Sequence, residues 1–589
     1  MGKGKRSPAL DYRRKNRIKL YRTIVQFAIL FLIGALLVKA IFTVQYYEEP
    51  EQANWNNHEG FVAVSYFGVN RSGTPKLVAK NQLDKQLKAL YDQGFVTISQ
   101  QDVLDFYQKG KALPEKALYL SFEDGRNDSS LFSQPLLERY NFKATMYTYA
   151  NKFGNSENKF LQAKDLKKME RSGYWELGSN GFRLAYINIF DQDGNYIGTR
   201  EENELDQKAN IESYNHYLMD FIRDENMIPI ENRQQMEARI TTDYDLMKQK
   251  YEENMGYVPK AYMIMHANTL YQGMNRLVAD VNDDHIKQLF GMHFNREGVA
   301  YNSQDADLYD LTRIQPKPYW STNHLLMKIN KDSGIDMSFV VGDEERANQW
   351  KLVSGAAEFI NSQIVLTSPA AEDGLLVLKN SDPYEDTELT VKLAGNIVGK
   401  QSIYVRYDEG NQSYVKVTLD TNKLIVSEKK PGQDEEMIEI IPLDEVEWSS
   451  EDVAFDKATV YSLEQSLAGR SEEEKNMIPI NIAKARDLTI RIQDNRLSVD
   501  IDQESWIKDL IIDSSIEHGG IALGSQYTEQ EGNDDIYDGI FEDIVVREIH
   551  AEDEEMPVLF DNRLSGFESV VYRVKRSINS AIDWAIDTF

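Results

Sequence analysis

Cysteine is absent from all 589 residues. That excludes a disulfide scaffold, cysteine-ligated zinc and a thiol nucleophile. It leaves the compartment open, since many exported chains also lack cysteine. Positive charge is sparse: 66 Lys and Arg face 95 Asp and Glu, a net of -29. No global positive field is therefore available to hold nucleic acid. The chain has no exact internal repeat and no long low-complexity tract. Against these absences, 41% of residues are hydrophobic and 11% aromatic. That is enough apolar material for packed cores and excludes global disorder. The length requires two or more domains.

The basic residues are concentrated at one end. Residues 1–22 carry nine Lys/Arg against one acid, Asp11. The apolar run Thr23 to Val44 follows; as a helix it spans about 33 Å, one hydrocarbon core. Gln26 and Lys39 lie near its ends, where long side chains reach the headgroups. The positive-inside rule keeps residues 1–22 in the cytoplasm and puts everything beyond about residue 45 outside. A cleaved signal peptide is the rival, but no small-x-small cleavage site follows the run. The expectation is a single-pass plasma-membrane helix over 23–44 and a polar stalk over 45–60. With the first 22 residues set aside, 57 basic groups face 94 acids, a net of -37. Such a charge either keeps the exported part soluble near an anionic envelope or attracts a cationic polymer, such as a partly deacetylated amino-sugar glycan.

Residues 61–335 alternate strand-like and helix-like segments. Phe61–Val69 is apolar and β-rich. Leu83, Leu87 and Leu90 recur at helical spacing, and Gly94 closes that helix. Ser99 is placed to cap a helix carrying Val103, Leu104 and Tyr107. Ala117–Phe122 and Lys143–Tyr149 read as buried strands. This rhythm predicts parallel strands with helical crossovers. Residues 201–255 are charged and helical in period, and read as an insertion. From about residue 340 the period becomes two: Ile403, Val405 and Tyr407 alternate with Tyr404 and Arg406, and Val415, Val417 and Leu419 repeat the pattern. Turn signals at Glu409-Gly410-Asn411 and Asp494-Asn495 separate such strands. A jelly-roll β-sandwich is predicted over 340–555. Residues 556–589 end in an amphipathic helix, with Phe567, Val571, Val574, Ile578 and Ile582 on one stripe. That stripe either packs on its own domain or docks on a membrane or partner.

The strand Ala117–Phe122 runs into Glu123, Asp124 and Gly125. Two acids at the C-terminal end of a strand stand where barrel active sites are built, and glycine lets the chain turn sharply beside them. In order and spacing, the surrounding chain resembles the polysaccharide deacetylase family of the NodB-homology type. Tyr66-Phe67-Gly68-Val69 ends the first strand, and Tyr91-Asp92-Gln93-Gly94-Phe95 ends the first helix. Leu113-Pro114 precedes the acid-bearing strand, and Lys143-Ala144-Thr145 begins the next one. Trp175-Glu176-Leu177-Gly178-Ser179 leads into the family's second motif, and Leu311-Thr312-Arg313-Ile314 matches its closing strand. The likeness spans 61–185 and 256–330. It implies a distorted (β/α) barrel acting on N-acetylated glycans.

Where the family has paired aspartates, one a general base and one a metal ligand, this chain has Glu123 and Asp124. Where it has two histidine ligands, this chain has Asn180 and Leu184, and Phe67 replaces a further histidine. Leucine cannot ligate, and an amide oxygen is a poor substitute for imidazole at zinc. A catalytic zinc takes about three protein ligands. The resemblance therefore implies a degenerate metal site: no cofactor is expected, and Asp124 is the remaining ligand if a divalent metal is present. His266 ends another matching strand, and either faces the cleft near Asp124 or is a hydrogen-bonded barrel histidine. Glu123 is the candidate base. Asp124, Asn180, His266 and Trp175 are candidate substrate contacts on a sugar-sized groove. An alternative is glycoside cleavage with a second acid such as Glu176, because adjacent residues on a strand point to opposite faces and cannot flank one bond.

Segments Trp350–Gly355, Gly374–Leu378, Gly520–Ser525 and Asp538–Val546 resemble concanavalin-like or laminin-G-like jelly rolls. Tyr404, Tyr407, Tyr414 and Trp448 either stack on sugar faces or serve as core aromatics. The loop Glu531–Asp535 either binds Ca²⁺ or is a solvated acidic loop. The combined expectation is a membrane-anchored extracellular protein, catalytically inactive. It binds or guides an exopolysaccharide or cell-wall glycan beside a membrane polysaccharide synthase, with no nucleic-acid partner. The alternatives are an active metal-dependent deacetylase or glycan hydrolase, and a purely structural subunit of a membrane complex.

Overall fold

The computed structural model describes residues 45–443 and 485–566, apart from 75, 156–158, 192, 202–203, 206–210, 266–269, 272–273, 396–398, 529–534 and 550–555. It also describes 19–28, 30–31, 34, 448–450, 477–479, 574 and 577. The chain divides into two compact units, residues 1–48 and 49–589. In the first, residues 19–28, 30–31 and 34 are helical. The rest of the apolar run to Val44 lies outside the described residues. Among the described residues, no helix is long and apolar enough to cross a membrane.

The second unit opens with a parallel barrel. Its strands are β1 (Gly60–Tyr66), β2 (Ala117–Phe122), β3 (Ala144–Thr148) and β4 (Trp175–Ser179), each pairing with the next. A three-stranded antiparallel sheet then branches off: β5 (Ala185–Asp191), flanked by β6 (Tyr196–Glu201) and β7 (Ile211–His216). The barrel resumes with β8 (Ala261–Tyr262), β9 (Met292–Glu297) and β10 (Leu311–Arg313). The ring closes where Val64 of β1 pairs in parallel with Ile314, just past β10. Ser65 N–H donates to the Ile314 carbonyl at 2.9 Å, and Ile314 N–H to Ala63 at 3.1 Å. Strands buried on both faces need a helical coat, and they read as the continuous apolar runs of this sequence.

The coat comprises α1 (Lys80–Asp92), α2 (Gln100–Lys109), α3 (Asn127–Tyr140), α4 (Ala163–Ser172), α5 (Arg233–Asn254), α6 (Arg276–Leu289) and α7 (Thr322–Ser333). Ser99 caps α2 as its sequence signals: its hydroxyl accepts from Asp102 N–H, and the Asp102 carboxylate accepts from Ser99 N–H. The 201–255 segment departs from the helical expectation. Among its described residues, 211–216 form strand β7, whose buried Ile211 and Tyr214 are of the β-branched and aromatic types that sheets favour. Its helical part, α5, packs beside α6 and so joins the barrel coat.

Among the described residues beyond α7 lie a two-stranded sheet and two large antiparallel ones, of seven and eight strands. Their facing sides bury the period-two residues: Ile403, Val405, Val415, Val417, Leu488, Ile490 and Ile492 share one core with Leu523 and Phe541. The acidic-loop residues 531–534 and most of 567–589 lie outside the described residues; Val574 and Ser577 are helical. Trp448 sits on the short strand Trp448–Ser450, and its side chain is not among those described. Barrel and sandwich are joined by a buried polar node. Asp538 of the sandwich accepts from Ser321 N–H (2.9 Å), Ser321 hydroxyl (2.7 Å) and Thr367 hydroxyl (2.6 Å). The two hydroxyls share Oδ1, while Oδ2, which takes the Ser321 N–H, also lies 2.9 Å from His324 Nδ1 on α7.

Candidate functional site

Strand β2 places Glu123 and Asp124 at the C-terminal rim of the barrel, and the chain turns there through two left-handed residues. Asp124 has φ +65° and Gly125 φ +58°. At Gly125 a side chain would be excluded, since a Cβ would meet the Thr148 methyl at 2.8 Å. Asn180 follows β4 directly. Its N–H donates to the Thr148 carbonyl (2.8 Å), its side-chain oxygen accepts the Asp124 N–H (3.3 Å), and its amide nitrogen donates to Met263 O (2.8 Å). The barrel thus brings Glu123, Asp124 and Asn180 to one rim.

The chemistry of that rim differs from the expectation of an open groove. Glu123 is fully buried. Arg313 at the end of β10 donates to one carboxylate oxygen through Nε at 3.1 Å, and Gln315 donates to the other at 3.0 Å. Arg313 is itself held by the Arg296 carbonyl (3.1 Å) and Glu297 (3.4 Å). Asp124 is buried too, with Arg126 Nε 3.0 Å from its carboxylate. The Arg126 guanidinium in turn lies over the Phe67 ring, 5.4 Å from its centroid. Each acid therefore has its own arginine. A general base needs a lone pair within reach of the proton it takes; here both Glu123 oxygens are engaged and none of the residue meets solvent.

Leu184 completes the difference. It is buried in a cluster with Tyr149, Tyr186, Ile189, Ile211, Tyr214 and Met265, against which Phe67 packs. Four members come from β5 and β7, so the branched sheet rests its apolar face on the rim. Leu184, where the resemblance calls for an imidazole ligand, and Phe67, which replaces a further histidine of the family, belong to this plug. The described residues here do not suit a metal: one carboxylate faces an arginine, one amide oxygen faces a backbone N–H, and the third position is apolar. Among the described residues, no three His, Asp or Glu gather closely enough to hold an ion. His266 lies outside the described residues.

Trp175 is a correction. It starts β4 on the outer face, packs 5.4 Å from Phe122, and donates its indole N–H to Gln134 of α3. Side chains alternate along a strand, and this register turns the indole under the helical coat, away from the rim. Glu176, one residue on, accepts the Gln100 N–H at 2.7 Å at the start of α2. Burial pushes its carboxyl up to about 7, against the pull of Gln100 and Lys143. It is not a partner of Glu123. Arg126, Arg313 and Gln315 were missed by the sequence reading. The available signal was a charged residue inside an apolar closing strand, and an arginine two residues after the acids.

Residues 110–264 match the family model described as polysaccharide deacetylase. Among curated relatives, the poly-β-1,6-N-acetyl-D-glucosamine N-deacetylase of Escherichia coli (strain K12) is 26% identical over 145 residues, 22% of this chain and 22% of that protein. The enzyme of that name from Staphylococcus aureus (strain N315) is 26% identical over 137 residues, 22% of this chain and 44% of that protein. The chain thus spans less than half the length of these relatives. Among solved structures, a de-N-acetylase from Aggregatibacter actinomycetemcomitans aligns with 45% of this chain and 95% of its own, at 18% identity and TM-score 0.34.

Proposed function

We propose, for a chain whose residues 110–264 match the polysaccharide deacetylase model, that it handles an exported polysaccharide without deacetylating it. In this reading residues 23–44 anchor it in the plasma membrane with its N-terminus in the cytoplasm. The rest stands outside and binds or guides an exopolysaccharide or cell-wall glycan beside a membrane synthase. The curated relatives carry poly-β-1,6-N-acetyl-D-glucosamine in their names, which makes an N-acetylated hexosamine polymer the first one to test. One observation carries the loss of activity: Glu123 and Asp124 are each closed off by an arginine, at 3.1 and 3.0 Å, beneath an apolar plug containing Leu184. Amide hydrolysis at this position needs an activated water; among the described residues the rim offers neither an unengaged base nor three grouped metal ligands, which supports this reading.

The test uses detergent-solubilised full-length protein and poly-β-1,6-N-acetyl-D-glucosamine. Retention by the immobilised polymer is expected, with acetate release at the buffer rate whether or not Zn²⁺ is added. Acetate release that disappears in Asp124→Ala would refute the proposal.

A further inference from the structure

The outer face of the seven-stranded sheet carries a cluster of three tyrosine rings. Strands Lys400–Asp408 and Ser413–Asp420 are neighbours in the seven-stranded sheet. Ile403, Val405, Val415 and Val417 face the core, so alternation sends Tyr404, Tyr414 and Lys416 to the opposite, outer face. Simple alternation would turn Tyr407 inward. The register instead slips between Val405 and Asp408, at Arg406, whose φ is +52°. Such a bulge re-aims the next side chain, and the Tyr407 ring lies with the other two: 5.8 Å from Tyr404 and 6.1 Å from Tyr414.

A non-glycine residue in this conformation is strained, and the surroundings hold it there. Arg406 turns inward and donates to the carbonyls of Glu385 (3.1 Å) and Ile516 (2.9 Å) and to Asp386 (3.0 Å). Gly519 packs so tightly on the bulge that a Cβ would come within 2.4 Å of the Arg406 carbonyl carbon. Local strain held by converging contacts marks positions where a side chain is being aimed.

The three rings make a shaped surface. Tyr404 lies across the sheet over Gly524, where a Cβ would touch its ring at 3.0 Å. Tyr407 and Tyr414 stand edge-on to it, at 78° and 83°, and are within 20° of parallel to each other. All three are half-buried. Around them the charge balances. Lys416 pairs with Glu435, which also accepts the Tyr414 hydroxyl at 2.7 Å; Lys351 pairs with Glu409; Asp373 lies in the field of Lys400 and Lys416. The lysines beside these rings are thus each matched by an acid, so the patch offers no run of unpaired positive charge to a polyanion. Flat aromatic faces rimmed by hydrogen-bonding groups suit an uncharged ligand with alternating apolar and polar faces, which is the character of a pyranose ring.

We infer that Tyr404, Tyr407 and Tyr414 form a carbohydrate-binding platform for an uncharged polysaccharide, with Tyr407 and Tyr414 stacking on sugar faces and Glu435 and Lys416 bonding to hydroxyl or amide groups. This rests on the glycan-handling reading above and gives it a site. The probes are poly-β-1,6-N-acetyl-D-glucosamine and its chemically de-N-acetylated form, in affinity electrophoresis with the full-length protein. Tyr407→Ala and Tyr414→Ala are each expected to weaken retention by the acetylated polymer about tenfold or more. Tyr407→Phe, which keeps the ring, and Tyr271→Ala, an exposed tyrosine on the barrel, should bind like wild type. Equal binding by wild type and both alanine variants would overturn the platform and leave the glycan-handling reading standing. Loss in Tyr407→Phe equal to that in Tyr407→Ala would overturn stacking. Preference for the de-N-acetylated polymer would overturn the uncharged ligand. No binding of either polymer by wild type would overturn both the platform and the reading beneath it.

Discussion

Replacing Arg313 by methionine isolates the closure of the rim. The Glu123 side chain is 0% and the Arg313 side chain 6% exposed, and Nε sits 3.1 Å from the carboxylate. Breaking a buried pair from one side leaves a charge with no water and no counter-charge, which costs about 3–5 kcal/mol. Gln315 remains, but a neutral donor replaces only part of what the guanidinium supplies. At roughly 2–4 °C per kcal/mol for a domain of this size, the barrel transition should fall by about 6–20 °C in scanning calorimetry. The double variant Glu123→Met, Arg313→Met removes both charges while keeping much of the volume, and should recover at least half of that loss, since apolar replacement of a buried pair is often near neutral. A single variant melting within about 2 °C of wild type would refute the closed rim. So would a double variant no better than the single, because the loss would then come from packing rather than from an abandoned carboxylate.

Three further outcomes follow from named contacts. Glu176 keeps its proton in the folded state up to about 7, above its ordinary 4.5, because it is buried. The stability this gives is fully present below pH 4.5 and lost as pH rises through 7, so Glu176→Gln should raise stability at pH 8 by about 3 kcal/mol and change little at pH 4.5, as read from melting temperature against pH. Leu184→His should not create zinc binding measurable by calorimetric titration, since Asp124 already faces Arg126 at 3.0 Å, whereas Leu184→Ala should cost about 2–5 kcal/mol by opening a cavity in the plug. Asp538 is held below its ordinary carboxyl value: burial alone would raise it, but His324, Ser321 and Thr367 outweigh that. Its contribution should be present above the unfolded carboxyl range and disappear in acid. Asp538→Ala should separate barrel and sandwich into two calorimetric transitions at pH 7; one unchanged transition would show that the node does not couple them.

Much of the fold was legible because burial leaves a periodic record. Continuous runs such as Ala117–Phe122 are buried on both faces and became barrel strands, while alternation such as Ile403 to Val405 is buried on one face and became sandwich. The branched sheet was missed because charged residues around position 201 masked short β-favouring stretches on either side. At the rim, the strand ends bring Glu123, Asp124 and Asn180 together, because strand ends have a fixed location in a barrel. Trp175 was misplaced because the direction of a side chain depends on register, and one residue of register exchanges inside for outside.

By itself, the sequence determined the two-part architecture and the strand end that carries the acid pair, since these depend on residue type and local spacing; the replacement of imidazole by Asn180 and Leu184 came from the family resemblance. Only the tertiary structure decided what surrounds those positions. Arg313 lies 190 residues from Glu123 in the chain, and Tyr407 reaches Tyr414 only because the backbone at Arg406 is turned. Electrostatic pairing and ring contact act over a few ångströms of space. They are therefore settled by which distant strands the closed barrel and the bulged sheet bring together, and no local pattern of residues records that.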